Sequence, residues 1–441
     1  MIGRRNLAPD RGPNVWDRTG RRVEQADAAA RPEPRRDLEG DEVAIGSAAS
    51  FPASDAPSWT PVAGVSPREP SRGSARPPAR QGPARASQAP SRLARARRVS
   101  QRPEGRWPLV AAGVGLWAAA RLLRARRAIS FEGRAVVISG GSRGLGLLIA
   151  RLLSAEGARL ALLARDPDEL TRAADDIEGR GGERPFIQPC DIAERLQAEQ
   201  AIRDVAAHFG RIDVLINDAG VIEVGPVEHM TVNDFETSMG VHFWGPLYLT
   251  LAALPHLKKR QGARLVNISS IGGRVAVPHL VPYSAGKFAL TGLSDGLRAE
   301  LAKDGIRVTT VLPWLMRTGS PFNAWFKGQH RAEFAWFTIF DSLPGLTVDG
   351  ERAARRIVDA VRHGDAELVT AVHARLAIVA DAMFPSLMAR SMELMNRLLP
   401  APGSGLGPEA RSGWQSRSRW APSALTRLTE KATAANNEVP R

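Results

Sequence analysis

A glycine-rich turn between a short apolar segment and a helical pattern constrains the fold of this chain more than any other feature. The apolar, β-branched run Ala135–Ser139 is typical of a buried parallel strand. The turn Ser139–Gly146 follows it, and Leu147–Ala155 has the pattern of a helix. Glycines let a backbone approach a pyrophosphate closely, and the N-terminus of the next helix favours the same anion. The sequence therefore predicts a doubly wound α/β domain with a parallel sheet that binds a dinucleotide.

Three polar residues further along the chain have the spacing of a proton-transfer site. Ser270 follows the predicted strand Ala263–Ile268, whereas Tyr283 and Lys287 lie four residues apart, on one face of a predicted helix. Reduction of a carbonyl by hydride needs a proton donor at the developing alkoxide. A phenol has an ordinary pKa near ~10, and a neighbouring ammonium lowers it. The three residues therefore indicate hydride-transfer chemistry, with Ser270 holding the substrate oxygen.

Six motifs in order resemble those of the short-chain dehydrogenase/reductase family, from about Phe131 to Thr318. Three of them are the glycine turn, the Ser270 segment and the Tyr–Lys pair. The others are an adenine contact at Cys190–Ile192, the fourth strand with the family's Asn-Asn-Ala-Gly signature at Ile212–Gly220, and the segment beside the nicotinamide at Pro313–Thr318. By this resemblance Tyr283 is the acid/base, Lys287 binds the ribose and lowers the pKa of Tyr283, and Ser270 orients the substrate. The resemblance also implies a Rossmann-type fold and a homodimer or homotetramer.

The same resemblance implies a set of residues that contact the cofactor. They lie in the glycine turn, at the ends of the following strands, in the Tyr–Lys pair and beside the nicotinamide: Gly140, Ser142, Arg143, Gly144, Leu145, Gly146, Arg165, Asp191, Ile192, Asn217, Ala219, Gly220, Tyr283, Lys287 and Thr318.

The sequence departs from the family pattern at three positions. His242 takes the place of a catalytic Asn that helps to hold a water in the proton relay. An imidazole can also donate and accept protons, so His242 is a catalytic candidate; the alternative is a histidine packed at a helix bend. Asp218 replaces the second Asn of the signature, and Trp314 replaces a Gly near the nicotinamide.

Two arginines favour NADP(H) over NAD(H). The predicted strand Arg159–Ala164 ends at Arg165, nineteen residues after Gly146, where an acidic residue would bind a free ribose 2′-hydroxyl. Arg165 instead accommodates a 2′-phosphate, and Arg143 adds a second cation at the same end of the cofactor. Asp166 is the one argument for NAD.

The segments before the enzyme domain differ from it in composition. Residues 1–106 are rich in Arg, Pro, Ala and Ser and are predicted to be disordered. Eleven arginines between positions 68 and 106 suit either a solvated tail or an anion-binding segment, but no recognition motif predicts a specific nucleic-acid partner. Residues 107–129 combine an apolar stretch with basic flanks. They predict either a helix in peripheral contact with a membrane or a helix packed on the enzyme domain.

Beyond Thr318 the family pattern gives less guidance. Aromatic residues are frequent from Trp314 to Phe340. They suit either an apolar lid over a bulky substrate or the packing of a C-terminal subdomain or a dimer contact. Glu351–Arg362 has an apolar stripe at helical spacing, and Val372–Leu399 predicts one or two further helices. The predicted organisation is a catalytic domain over 130–365, a helical extension over 366–400 and a flexible tail over 401–441.

The sequence as a whole predicts an NADP(H)-dependent oxidoreductase that interconverts a carbonyl and an alcohol, with an apolar small-molecule substrate. The alternative function is a catalytically silent, NADP(H)-binding regulatory protein. Cys190 is the single cysteine, so no disulfide is expected, and no residues have the spacing of metal ligands. These properties favour a cytoplasmic enzyme, with or without contact to a membrane.

Overall fold

A seven-stranded parallel sheet organises the part of the chain that the computed structural model describes, residues 107–403, 406–424 and 426–439. The predicted disordered region 1–106 lies outside these residues. The strands are β1 (Ala135–Ser139), β2 (Arg159–Ala164), β3 (Phe186–Pro189), β4 (Val214–Asn217), β5 (Arg264–Ile268), β6 (Arg307–Leu312) and β7 (Glu367–Val369). Their order is β7-β6-β5-β4-β1-β2-β3, and every neighbouring pair is parallel. The order reverses between β1 and β4, so the predicted doubly wound α/β fold is confirmed.

Helices flank both faces of this sheet and extend beyond it. The helices are α1 (Trp107–Arg126), α2 (Gly144–Ala155), α3 (Pro167–Gly179), α4 (Arg195–Phe209), α5 (Val232–Met239), α6 (Gly245–Leu257), α7 (Val281–Leu301), α8 (His330–Ser342), α9 (Gly350–His363), α10 (Val372–Met383), α11 (Pro385–Leu398) and α12 (Arg427–Ala435). A π-helical turn, Gly240–Trp244, joins α5 to α6.

The alternation of side chains along β1 produces two hydrophobic cores. Val136 and Ile138 pack in one core with α2, α3 and α9. Ala135 and Val137 pack in the other with α4 and α6. Every residue of β1 is buried because helices cover both faces of the sheet, which is why this strand has a continuous apolar sequence.

The aromatic residues after β6 form a third core. Phe322, Phe326, Phe334 and Phe337 are buried together, and Tyr283 borders the cluster. Short strands support this region. Glu223–Val224, Trp325–Phe326 and Arg411–Ser412 form one small sheet, and Met316–Arg317 pairs with Val348–Asp349. The four phenylalanines therefore pack a subdomain, as in the second of the two interpretations offered by the sequence.

The C-terminal segment differs from the predicted flexible tail. Within residues 401–441, the strand Arg411–Ser412 and helix α12 are regular elements, and Ala421 is buried in the aromatic core. Thr429 and Thr433 of α12 are buried as well. The sequence did not predict these elements because the segment is held largely by hydrogen bonds, and residues that make them produce no apolar periodicity.

Helix α1 is exposed along most of its length. Leu116 and Trp117 keep 73% and 61% of their surface accessible. Near the end of the helix, Arg124 makes ion pairs with Asp359 at 2.6 Å and Asp365 at 2.8 Å. Among the described helices none is by itself long and apolar enough to cross a membrane, and the one pair that qualifies by length and composition, α10 with α11, is bent by 119°. Peripheral membrane contact through residues 107–129 stays a prediction.

Candidate active site

The predicted catalytic residues meet near the carboxyl end of β5. Ser270 begins a short 3₁₀ turn directly after this strand, and its Oγ accepts a hydrogen bond of 3.0 Å from the amide of Gly272. A Cβ at Gly272 would lie 3.2 Å from the Tyr283 ring, and one at Gly273 would lie 2.6 Å from the Lys287 carbonyl. The two glycines thus let the turn approach α7 closely. This approach places the Ser270 side chain beside Tyr283, where the serine hydroxyl acts to lower the pKa of the phenol.

Lys287 lies one turn after Tyr283 on α7 and is buried. Its Nζ donates a hydrogen bond of 2.9 Å to the carbonyl of Ile268 and lies 5.8 Å from the centre of the Tyr283 ring. Burial lowers the pKa of Lys287 to about 8, against the opposing effect of the Asp218 carboxylate.

The pKa of Tyr283 is raised rather than lowered, which corrects the prediction from the sequence. Burial of the phenol is the largest cause, the hydrogen bond with Ser270 opposes it, and the charge of Asp218 adds to the rise. The ammonium of Lys287, 5.8 Å from the centre of the ring, does not offset the effect of burial. Tyr283 therefore stays protonated at neutral pH in this structure.

His242 lies in the π-helical turn and is fully buried. Its Nε2 accepts a hydrogen bond of 3.2 Å from the Val221 amide, and Nδ1 lies 3.1 Å from the Oγ of Ser238, which donates to the carbonyl of Pro282. These bonds require the neutral tautomer with a proton on Nδ1. Burial and the charge of Lys287 lower the pKa of His242 well below its ordinary value. The imidazole packs edge-on against Tyr283, with ring centres 5.2 Å apart.

Asp218 joins the two halves of the site. Its carboxylate accepts a hydrogen bond from the backbone of Gly146 and interacts with the charge of Lys287. Burial raises the pKa of Asp218 to about 7, although the charge of Lys287 and the Gly146 bond both oppose this rise. An Asn at this position would not carry the charge that acts on Lys287. The substitution noted in the sequence thus adds an electrostatic partner for the active-site lysine.

The glycine turn has the shape that a dinucleotide pyrophosphate requires. Gly140 has a φ of +77° and Gly144 a φ of +57°, which is the left-handed region that favours glycine. A Cβ at Gly146 would lie 2.2 Å from the carbonyl oxygen of Gly140. The turn is therefore a tight cradle at the N-terminus of α2, where the helix dipole favours an anion. The residues present fit the phosphates of a nicotinamide dinucleotide.

The other predicted contacts line the same end of the sheet in different ways. Asn217 is buried and donates a hydrogen bond of 2.8 Å to Asn267, so its side chain links β4 to β5. The backbone of Ala219 lies against Gly140, where a Cβ would be 2.7 Å from the Ala219 nitrogen. Gly220 lies beside both Lys287 and His242.

The remaining predicted positions are at the edges of this cleft. Leu145 and Ile192 are buried in the cores, and Thr318 is buried. Asp191 follows β3, and its carboxylate accepts a hydrogen bond of 3.0 Å from the Ala193 amide. Ser142 donates a hydrogen bond of 3.0 Å to the Glu169 carboxylate.

The charges after β2 bear on the choice of cofactor. Arg165 is exposed at the end of this strand. Asp166 caps α3, because its carboxylate accepts hydrogen bonds from the amides of Asp168 and Glu169. Arg143 lies 3.1 Å from the Glu169 carboxylate, so its charge is partly neutralised.

Helices α10 and α11 pack against the loop of residues 271–281. Trp314 donates a hydrogen bond of 2.7 Å from its indole nitrogen to Leu346 and packs edge-on against His373 of α10, with ring centres 4.7 Å apart. The bulky residue at this position therefore holds the helical extension. A groove of about 720 Å³ lies between α11 and this loop, with Val275, Pro278 and Met388 among its walls.

Cys190 is buried directly after β3. Burial raises the pKa of the Cys190 thiol to about 11, so the thiol is protonated at neutral pH. Over the residues that the structure describes, no group of three or more His, Cys, Asp or Glu side chains is arranged to hold a metal ion.

Sequence reasoning missed two elements of the cleft. Glu169 lies in the first turn of α3 and faces Ser142 and Arg143; its position three residues after the capping Asp166 is a signal that could have identified it. Residues 436–438 reach the glycine turn from the far end of the chain. No local signal in the sequence indicates that contact.

Comparisons with known proteins agree with this geometry. The family model for short chain dehydrogenases matches residues 134–324. A Mycobacterium tuberculosis protein named as an oxidoreductase, SadH, is 34% identical over 267 residues, which cover 59% of this chain and 95% of SadH. A dehydrogenase/reductase SDR family protein 7-like from Anopheles gambiae is 33% identical over 49% of this chain and 70% of its own. The crystal structure of a short-chain dehydrogenase from Streptomyces avermitilis superposes with a TM-score of 0.51 at 29% identity, covering 61% of this chain and 99% of that one.

Proposed function

The chain belongs to the short-chain dehydrogenase/reductase family of NAD(P)-dependent oxidoreductases that act on CH–OH and C=O groups, and we propose that it reduces an apolar carbonyl compound with NADPH, or oxidises the corresponding alcohol. The observation that carries the proposal is the position of Ser270 beside Tyr283, one helical turn from a buried Lys287.

The proton steps follow from these three side chains. A reduced nicotinamide, when held by the glycine turn, would supply the hydride for the carbonyl carbon and would itself be oxidised. Tyr283 donates its phenolic proton to the carbonyl oxygen, a role that suits a phenol whose pKa is raised by burial. Ser270 holds that oxygen in line with Tyr283. Lys287, as an ammonium, stabilises the phenolate that remains, and its buried position strengthens this interaction. The oxidation of an alcohol uses the same groups in reverse.

His242 acts in this proposal as a positioning residue. Both of its ring nitrogens are engaged, with Val221 and Ser238, and its neutral ring packs against Tyr283. His242→Asn restores the residue of the family pattern, whereas His242→Ala removes the packing altogether. We expect His242→Ala to lower kcat with little effect on the KM for NADPH, and His242→Asn to recover part of that loss. Equal kcat in all three proteins would contradict the role.

The cofactor residues proposed are those of the glycine turn and its surroundings. Backbone amides at Gly144 and Leu145 are suited to phosphate oxygens, and Asp191 and Thr318 to the adenine and nicotinamide ends. NADP(H) is favoured because the exposed Arg165, directly after β2, is able to pair with a 2′-phosphate, whereas Asp166 is engaged in capping α3.

The proposed preference has a direct test. Arg165→Asp should shift the ratio of affinities toward NADH, because the substitution replaces a cation by an anion beside the 2′-phosphate. Arg203→Asp, on an exposed position of α4, is the matched control and should leave the ratio unchanged. The same ratio in wild type and Arg165→Asp would contradict the assignment.

An apolar substrate is favoured by the groove beside the 271–281 loop. Val275, Pro278, Val281, Met388 and Met392 contribute to its walls, and a volume of about 720 Å³ suits a ligand of drug-like size. The test is NADPH consumption across steroid, retinoid and fatty aldehyde carbonyls, beside small polar aldehydes. Turnover of the polar compounds alone would contradict the apolar assignment, and tight NADPH binding without any turnover would favour the silent regulatory alternative.

We propose a homo-oligomer as the state of the enzyme. The outer surfaces of α6, α7 and the π-helical turn leave Leu251, Phe288 and Trp244 exposed by 54%, 44% and 44%. Burying these side chains against a second copy would remove apolar surface from water. Light scattering on the purified protein tests this, and a monomer at micromolar concentration would contradict it.

A further inference from the structure

The C-terminal segment crosses the cofactor cleft. Helix α12 packs on α8, where Thr429 receives a hydrogen bond of 2.6 Å from Ser342 and donates one of 3.2 Å to Asp341. After α12 the chain turns into the cleft and Asn437 adopts a φ of +57°. Asn436 and Glu438, on either side of it, are both buried.

Backbone groups of the glycine turn are bonded to this segment. The Gly144 amide donates a hydrogen bond of 2.9 Å to the carbonyl oxygen of Asn436. Asn436 in turn donates from Nδ2 to the carbonyl of Thr318 at 3.2 Å. The chain thereby bridges the glycine turn and the segment that follows β6. These two segments are the ones proposed above to hold the phosphates and the nicotinamide.

Asn437 anchors the segment at the adenosine side of the cleft. Its Nδ2 donates to the carbonyls of Ser142 and Glu169 at 2.9 and 3.1 Å, and its Oδ1 accepts a hydrogen bond of 2.9 Å from Arg172. An amide that makes three hydrogen bonds across two elements is a specific contact rather than incidental packing.

Glu438 places a carboxylate at the N-terminus of α2. A Cβ added at Gly144 would lie 2.6 Å from the Oε1 of Glu438. The Oε2 of Glu438 is 3.7 Å from the Arg143 guanidinium. Asn323 donates hydrogen bonds to both its carboxylate and its carbonyl. Burial raises the pKa of Glu438 to about 7, opposed by Arg143 and Asn323 and assisted by the charge of Glu169.

The contacts of this segment are those that a dinucleotide pyrophosphate would use. A helix N-terminus and an adjacent arginine favour one anionic group with oxygen acceptors, and here a carbonyl oxygen and a carboxylate fill that place. The segment and a bound pyrophosphate cannot both bond the Gly144 amide and lie against Gly144 at the same time. We propose that residues 436–438 are an autoinhibitory segment that competes with NADP(H) for the glycine turn and must leave before the cofactor binds. This proposal rests on the proposed function and adds regulation to the same site.

The competition has a thermodynamic consequence. When only a minor fraction of the molecules is in the binding-competent state, the apparent affinity for the ligand falls in proportion to that fraction. Docking of 436–438 therefore weakens the apparent affinity for NADPH. Because α12 also packs on α8, release of the segment loosens the wall of the aromatic core, so that cofactor binding and the region around the substrate are coupled.

The test uses the whole protein with three variants. One ends at Ala435, the second is Asn437→Ala in the full chain, and the third is the control Lys431→Ala, on an exposed position of α12. Asn437→Ala removes the three amide hydrogen bonds and leaves an alanine at a left-handed φ, so it weakens docking while keeping the chain length. The readouts are the NADPH dissociation constant by calorimetry and hydrogen–deuterium exchange of residues 427–439, with circular dichroism to check folding.

The expected result is NADPH binding that is tighter than wild type by about tenfold or more in the first two variants and unchanged in Lys431→Ala. Saturating NADPH should also speed exchange in residues 427–439 of the wild type. Equal dissociation constants, with these residues still protected when NADPH is bound, would overturn the autoinhibition and leave the proposed function standing. Failure of every variant, including the one ending at Ala435, to bind NADPH or NADH would overturn the proposed function and this proposal together.

Discussion

Replacement of Gly146 by alanine tests the glycine turn at its tightest point. The added Cβ would lie 2.2 Å from the carbonyl oxygen of Gly140 and 2.8 Å from the carboxylate of Asp218. The first contact is with backbone, so the turn itself must move. Overpacking of this kind costs up to about 3 kcal/mol, and the better helix propensity of alanine returns about 1 kcal/mol.

The net loss in the free energy of unfolding is therefore about 2 kcal/mol for Gly146→Ala. For a domain of this size such a loss lowers the melting temperature by about 4–8 °C. The shifted amides should also weaken NADPH binding by about tenfold or more, since a misplaced hydrogen-bond donor to a charged group loses at least about 1.5 kcal/mol.

Thermal denaturation followed by circular dichroism and an NADPH titration measure both effects. Gly179→Ala is the matched control, because Gly179 ends α3 at an exposed position with nothing within 4 Å of the added Cβ. This control should keep the wild-type affinity and have a melting temperature no lower than that of the wild type. If Gly146→Ala behaved like Gly179→Ala in both measurements, the assignment of the turn as a close-fitting phosphate cradle would be refuted.

Two further predictions concern buried charges. Lys327→Met leaves the carboxylate of Asp234, 2.6 Å from Nζ in the wild type, buried without its cation, so urea denaturation should show a free energy of unfolding lower by about 3–5 kcal/mol. The control Arg355→Met breaks an exposed ion pair and should change the urea midpoint little. Equal losses in the two variants would contradict the account. Docking of the segment raises the pKa of Glu438 to about 7. Between the ordinary pKa of glutamate and pH 7, the docked segment therefore holds a proton that the released segment has lost. Docking is strongest in acid and weakens as the pH rises to about 7. The wild-type affinity for NADPH should therefore increase from pH 5 to pH 7 more steeply than that of the chain ending at Ala435, and parallel pH profiles would contradict the assignment.

Local sequence signals predicted the central fold well. The limits of β1 and β2 agree with the sequence because both strands are buried on two faces and have continuous apolar sequences. Helix α2 begins at Gly144 rather than Leu147, since glycines at a helix N-terminus disguise the first turn. The pair Tyr283 and Lys287 was visible because a spacing of four residues is a property of the helix itself.

Contacts between distant parts of the chain were not predictable in this way. The bond from Gly144 to Asn436 joins residues almost three hundred positions apart, and Asn-Asn-Glu has the composition of an ordinary polar tail. The raised pKa of Tyr283 is also a tertiary effect, since it depends on burial among residues from distant parts of the chain, such as His242 and the aromatic core. The bonds of His242 to Val221 and Ser238 fix its neutral tautomer, which the sequence left open.

The most direct test of the central claim is the turnover of Tyr283→Phe. This substitution removes the phenolic hydroxyl that contacts Ser270 and leaves the ring that packs against His242. NADPH consumption with the best carbonyl of the panel should fall by about 10²–10⁴-fold, the range typical of a lost general acid. The dissociation constant for NADPH should stay within about twofold of the wild type, because the hydroxyl is proposed to act on the substrate oxygen. Turnover at the wild-type rate in Tyr283→Phe would contradict the account.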